Sequence, residues 1–408
     1  MKRILFTWEL GANYGHLSRL LLLANRQIAI GNEVLFAVQD LTIAEKLLRP
    51  EGIQYVQAPI FNAKTSQFNP VNYAQMLLLI GYADVSQLAM NVRQWLALIE
   101  AFDPQFIMMD HSPTVILTSR ICKIPSLQLG SGFEIPPDEG WPAFIAPNSE
   151  LTPNITRFNQ ALLDNINHVL SQFESPLLPN ITTLFSDQPT ALVTFKELDH
   201  YRNRKNSYYV GPIYTTESGL KVSWQANQLQ QKIFVYGWPD LPGLNALLTA
   251  LKNIDAEVIC VIPGLSGTAL SNLTAPNIRL FTETLCLDNL LAQADLLITH
   301  SGFGVLNAFM QKGVPILVIP KTVEQYLIGC RVTELGIGVA IGHKRDVNQF
   351  KLCINQLLSA AHYKVATVKI VEKYMAYSSQ DALSSIEFII DKAIQQPAIK
   401  VGNQYANT

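Results

Sequence analysis

The chain has 408 residues, 49% of them hydrophobic and only 15% charged, with a formal net charge of −2. This length implies at least two domains, since single cores stop growing at about 250–300 residues, and the apolar content excludes global disorder. No block of like charge occurs, which argues against a nucleic-acid binder but leaves anionic small molecules open, because backbone N–H groups and helix ends bind them without net charge.

The first half alternates strand, turn and helix. RILFTW predicts a strand and not a signal peptide, because its apolar run stops at Glu9. The glycine-bearing turn ELGANYGH follows, then the helical pattern LSRLLLLANRQIAIG closing on Gly31, then the strand EVLFAV. FDPQFIMMDHSP predicts a strand ending at Asp110, with a helix to Cys122 and the strand IPSLQLG behind it. Buried strands separated by amphipathic helices indicate an α/β fold whose parallel sheet is covered on both faces. Residues 60–100 break the rhythm, being mostly helical and apolar with Phe61, Phe68, Tyr73, Tyr82 and Trp95. They read either as packing for the sheet or as part of a pocket for an apolar acceptor.

The second half restarts the rhythm at KIFVYGW, continues through GLNALLTALKNID, AEVICVIPG and NIRLFT, and reaches ADLLITHSG. YYVGPIYTTESG, from Tyr208 to Gly219, reads as a linker. The expectation is therefore two doubly wound domains, 1–215 and 216–408. A last helical pattern over about 367–396, interrupted by Tyr-Ser-Ser, is expected to pack back across the junction. Five cysteines without CxxC spacing indicate reduced thiols and a cytoplasmic protein. No apolar run approaches the roughly 20 residues of a membrane span.

Ligands of doubly wound sheets bind beyond the carboxyl ends of the strands. The candidates there are Trp8 to His16, Asp110 to Ser112, Gly237, Trp238, Pro263, Gly264, and His300 to Val305. After His300, the residues Ser301, Gly302, Phe303 and Gly304 open a helical pattern near Val305. Glycines allow a ligand close to the backbone, and a helix start favours phosphate.

HSGFGVLNAFMQKGVPILVIPKTVEQ, followed by RVTELGIGVAI, resembles the donor-binding signature of family-one nucleotide-sugar glycosyltransferases of the UDP-glycosyltransferase and macrolide-glycosyltransferase type. Gly313-Val314-Pro315 and Glu324-Gln325 fall in its register. GHLSRLLLLANRQIAIGNEVLFAV is similar to the family's opening strand–helix unit. The resemblance implies the GT-B fold, two Rossmann-like domains facing a central cleft, the first for the acceptor and the second for the donor. It implies that His300 and the turn of Ser301, Gly302, Gly304 and Val305 hold the donor diphosphate, and that Glu324 and Gln325 hold its sugar. It makes His16 the general base and Asp110 the carboxylate that orients it. Read without the resemblance, His16 is equally a helix-start residue and Asp110 a helix cap.

The chemistry suits these residue types. Imidazole, with an unperturbed pKa near 6.5, can take a proton from an attacking hydroxyl. An aspartate on its other nitrogen fixes the tautomer, and helix dipoles stabilise the departing diphosphate. The expected activity is inverting, metal-independent transfer from a nucleoside-diphosphate sugar to a hydroxyl of an unknown, apolar or lipid-like acceptor. No cofactor is expected, and no Asp-x-Asp occurs in the chain. Three departures from the family pattern stand out. Ala308 replaces the glutamate that grips the ribose, Val305 replaces the usual Thr or Ser, and Arg19 replaces the usual Pro. The first shifts the expected donor from a UDP-sugar towards a dTDP-sugar. A sugar-nucleotide epimerase of the same fold and a non-catalytic nucleotide or glycan binder are the alternatives.

Overall fold

In a computed structural model, the described residues are 1–12, 14–61, 70–145, 152–202, 204–205, 207–225, 231–265 and 275–395. The chain divides into two compact units, Met1–Ile213 with Ser379–Thr408, and Tyr214–Ser378. No described helix is long and apolar enough to cross a membrane.

The first unit is built on strands β1 (Arg3–Trp8), β2 (Glu33–Val38), β3 (Gln54–Gln57), β4 (Phe106–Asp110), β5 (Ser126–Gly130) and β6 (Thr190–Leu192). They lie in the order β3-β2-β1-β4-β5-β6, and every pairing is parallel. This is the doubly wound order, whose direction of winding reverses between β1 and β4. Ile4, Leu5, Phe6 and Trp8 of β1 and all of β4 are buried, as strands covered by helices on both faces must be. The edge strands β3 and β6 escape the sequence pattern because one is half polar and exposed and the other has three residues.

Two helices of this unit matter most. Helix α1 (Gly15–Ala29) buries Leu17, Arg19, Leu20, Leu23, Ala24 and Gln27, so one stripe of an amphipathic helix contains an arginine. Helix α2 (Pro113–Cys122) starts beyond β4 with Pro113 in its first turn, where the missing N–H costs nothing. Residues 70–102 pack as helices with Tyr73, Tyr82 and Trp95 all buried, while Phe68 lies outside the described residues.

The second unit repeats the plan. Strands β7 (Gln231–Tyr236), β8 (Ala256–Val261), β9 (Ile278–Phe281), β10 (Leu296–Thr299), β11 (Ile316–Val318) and β12 (Gly338–Ala340) run in the order β9-β8-β7-β10-β11-β12. All are parallel. Helix α3 (Phe303–Met310) follows β10, and helix α4 (Val323–Glu334) follows β11.

The tail expected as one interrupted helix is two, Ala361–Lys373 and Ser379–Gln395, and the second belongs with the first unit. Arg26 of α1 anchors it there, donating to Glu387 at 2.7 Å and Ser384 at 3.3 Å.

Phe234 of β7 is 1% exposed and stacks on Phe309 of α3 with ring centroids 4.9 Å apart. Phe234→Ala is expected to destabilise the second unit by about 3–5 kcal/mol, read from its urea unfolding transition.

Candidate active site

In the first unit, β1 and β4 end side by side with Trp8 and Asp110 in register, at the point where the winding reverses. Asp110 is fully buried there. His16, the second residue of α1, reaches back so that its Nδ1 lies 2.7 Å from Asp110 Oδ1. Its ring stacks on Trp8 with centroids 5.7 Å apart and an interplanar angle of 19°.

Arg19 is one helical turn from His16, on the same face of α1. Its Nε donates to Asp110 Oδ2, and its Nη2 donates to Asp110 Oδ1 at 2.5 Å and to Glu134 Oε1 at 3.2 Å. Glu134 lies beyond β5, and its Oε2 accepts from the Ser131 amide and hydroxyl, both at 2.9 Å. Burial alone would raise the Asp110 carboxyl, but the Arg19 charge and then His16 outweigh it and hold Asp110 below its usual range. Glu134 follows the same logic, with Arg19 overcoming its burial. Both carboxylates are therefore ionised at neutral pH.

An ionised Asp110 accepts the Nδ1 proton of His16, which leaves the lone pair on Nε2. The 3.1 Å approach of Arg19 Nη2 to the same Nδ1 is then a close contact and not a second bond. Gly11, at φ +96°, gives Nε2 its room, because a Cβ at that position would lie 2.5 Å from it. His111 sits in the left-handed region at φ 47°, 6.0 Å from the His16 ring. Burial pushes His111 down to about 4, so it is neutral.

His16, Asp110 and Glu134 present ligand atoms within 4.8 Å of one another, close enough for a metal ion. The cation among them is the Arg19 guanidinium, bonded to both carboxylates.

Glu9, just past β1, is buried against the start of α2, where Thr114 donates its amide to Oε2 at 2.9 Å. Burial pushes its carboxyl up to about 8, against the lowering effect of the Thr114 hydrogen bonds. Its folded-state value thus exceeds the ordinary 4.5. That contribution to stability is complete below the unfolded-state value and is lost as pH rises through the folded-state one. Against Glu9→Gln, whose amide does not titrate, the parent is expected to lose urea stability progressively between about pH 4.5 and about pH 8.

In the second unit, β7 and β10 end together with Tyr236 and Thr299 in register. His300 follows β10, stacked on Tyr236 with centroids 5.6 Å apart. Its Nε2 accepts from Trp238 Nε1 at 3.1 Å, which puts the ring proton on Nδ1. Burial pushes His300 down to about 4, although the Tyr236 carbonyl and Asp240 favour its charged form. His300 is a neutral donor here, not a cation.

Ser301 takes a positive φ of 80° and Gly302 caps α3. A Cβ on Gly302 would press on Tyr236 at 3.2 Å and His300 at 3.4 Å. Gly304 and Val305 lie in the first turn of α3. Gly237 donates to the Val261 carbonyl at 3.0 Å, while Pro263 and Gly264 form the turn after β8, with no atom of the described residues within 4 Å of a Gly264 Cβ. Ala308 is buried, as is Asn307, whose amide donates to the Phe303 carbonyl at 2.8 Å.

Glu324 and Gln325 lie in the first turn of α4. Gln325 completes a capping box with Thr322, its Oε1 accepting from the Lys321 amide at 2.7 Å. That oxygen serves the helix, so only the Gln325 Nε2 group is left to donate to a ligand.

The structure thus joins His16 to Asp110 within the first unit, and His300 to Trp238 and the α3 turn within the second. Sequence reasoning overlooked Glu134 as part of the first cluster, and gave Gly11 and His111 no role beyond their place in the candidate stretches Trp8 to His16 and Asp110 to Ser112. It noticed Arg19 only as a departure; the signal was its spacing of three from His16 on an otherwise apolar stripe.

Residues 245–383 match the family described as "Erythromycin biosynthesis protein CIII-like, C-terminal domain". The chain is 26% identical to UDP-glucosyltransferase avaP of Aspergillus versicolor over 137 residues, 33% of this chain and 30% of that protein. Over 402 residues it is 22% identical to a PGL/p-HBAD biosynthesis glycosyltransferase of Mycobacterium tuberculosis, covering 91% and 89% of the two chains. The alignments with the first curated relatives span about a third of their length. Among solved structures, the glycotransferase of kitacinnamycin matches with a TM-score of 0.69 at 17% identity over 95% of this chain and 98% of that one. Spinosyn rhamnosyltransferase SpnG matches at 0.68 and 18%, over 96% and 100%. Likeness of this extent establishes the GT-B fold.

Proposed function

We propose, from the premise that the chain is a macrolide-type relative of the family-one nucleotide-sugar glycosyltransferases, that it is an inverting glycosyltransferase. The reading moves a sugar from a nucleoside diphosphate to an acceptor hydroxyl, without a metal ion. The observation that carries it is the 2.7 Å bond between His16 Nδ1 and Asp110 at the switch point of the first sheet.

In this reading, His16 Nε2 takes the hydroxyl proton as the oxygen attacks the anomeric carbon. Asp110 holds the ring in the required tautomer and stabilises the imidazolium that forms. The α3 turn supplies backbone amides and the helix dipole to the diphosphate, and neutral His300 adds a donor. A neutral imidazole suits this role because it needs no counter-charge before the ligand arrives. Gln325 Nε2 and Glu324 contact the sugar hydroxyls.

The donor is a UDP- or dTDP-sugar. Ala308 offers the ribose no carboxylate, and one solved relative, SpnG, is described in complex with thymidine diphosphate; both favour dTDP. The acceptor is a small apolar or lipid-like molecule, and the enzyme is expected to work in the cytoplasm.

His16→Ala is expected to lower donor turnover about 10²–10⁴-fold while calorimetry shows nucleoside-diphosphate binding unchanged. Near-normal turnover by that variant would sink the assignment. His300→Ala is expected to weaken binding of dTDP and UDP in the same assay, and unchanged binding would remove His300 from the diphosphate site.

A further inference from the structure

We propose that Arg19, with Glu134 as its counter-charge, is a positioning residue that locks the Asp110 carboxylate onto His16 Nδ1 and thereby keeps Nε2 basic; this rests on His16 being the base. The geometry is specific. Two nitrogens of the guanidinium take both Asp110 oxygens, and one of them also bonds Glu134. A planar fork of this kind fixes a carboxylate's orientation as well as its charge. Glu134 is itself held by Ser131, so the Nη2 that bonds Asp110 is also held by a second, fixed carboxylate.

Charge explains why the second carboxylate is needed. Asp110 and His16 alone would carry one negative charge at rest and none after His16 accepts a proton. A buried guanidinium added to that pair would cancel the resting charge and penalise the protonated imidazole. Glu134 restores the balance: the four groups sum to one negative charge at rest and to zero when His16 holds the acceptor's proton. The other groups around the cluster leave this count unchanged. His111 beyond β4 and His200 are held neutral by burial. Burial likewise keeps Tyr73 and, at neutral pH, Glu9 protonated, and β1 presents the uncharged Trp8 ring.

Removing Arg19 alone leaves two desolvated carboxylates beside one imidazole. Such a pair takes up a proton, either on a carboxyl or on Nε2, and both outcomes spoil the base. Removing the Glu134 charge as well returns the site to a simple Asp–His pair. The second substitution should therefore repair the first, which a merely structural role would not produce.

The test compares the parent, Arg19→Met, Glu134→Gln and the double variant. Nucleoside-diphosphate release from UDP-glucose and dTDP-glucose is measured, and nitrogen NMR of labelled histidine reports the His16 tautomer. The parent is expected to show His16 protonated on Nδ1. Arg19→Met should lose that signature and at least about 10²-fold in turnover, and the double variant should regain the signature and at least about tenfold of the loss. A parent with the proton on Nε2 overturns the proposal, as does full turnover by Arg19→Met, or a double variant no better than the single one. If Arg19→Met does not fold, Glu134→Gln decides in its place: its uncompensated Arg19 charge is expected to oppose protonation of His16 and lower turnover, and full turnover by it overturns the proposal. The spectra need no turnover: a chain inactive on both donors but with the expected signatures refutes the transfer reading and upholds the positioning.

Discussion

The carboxylate of Asp110 is the constraint around which the first unit is organised. It ends a strand buried on both faces, in register with Trp8, where an unpaired charge would be prohibitively costly. The residues that satisfy it come from two separated parts of the chain: His16 and Arg19 from α1, and Glu134, through Arg19, from beyond β5. Helix α1 must therefore dock with its first two turns over the end of β4. Gly11 follows from the same demand, since the turn bringing the chain from β1 to α1 passes directly beside His16 Nε2.

The two units share one topology and solve opposite electrostatic problems. In the first, formal charges are buried and balanced against one another. In the second, the residues at the equivalent switch point are neutral: His300 is pushed down by burial and hydrogen-bonded to Trp238, with Tyr236 stacked beside it. A proton-transfer site needs a group whose charge can change, which requires a tuned environment. A diphosphate brings its own charge, so fixed dipoles suffice to receive it.

The alternation of strands and helices, the two-fold repetition and the histidines His16 and His300 were legible because each rests on local pattern: apolar runs, a glycine turn and fixed spacing. The partnership of His16 with Asp110 spans 94 positions and was legible only through resemblance. Glu134 carried no signal, because a carboxylate in a loop after a strand usually faces water. The capping role of Gln325 went unread for a related reason: the Thr322–Gln325 spacing is a helix-start signature, but the glycosyltransferase-like register covers the same residues. The short edge strands β3 and β6 lacked the length or the apolar content that periodicity needs.

The buried Arg19 ion pairs are poorly explained as a stability device. Desolvating a guanidinium and two carboxylates consumes most of what their attraction returns, and apolar residues of similar volume commonly serve as well or better. The stripe of α1 that carries Arg19 is otherwise filled by leucines and alanine apart from Gln27, so an apolar side chain would fit the pattern there. What an apolar residue cannot do is hold a carboxylate at a fixed angle to an imidazole, which Arg19 does while Glu134 offsets its charge. Orientation is the property that the arginine adds, and it is needed only if one nitrogen of His16 must be kept free of its proton.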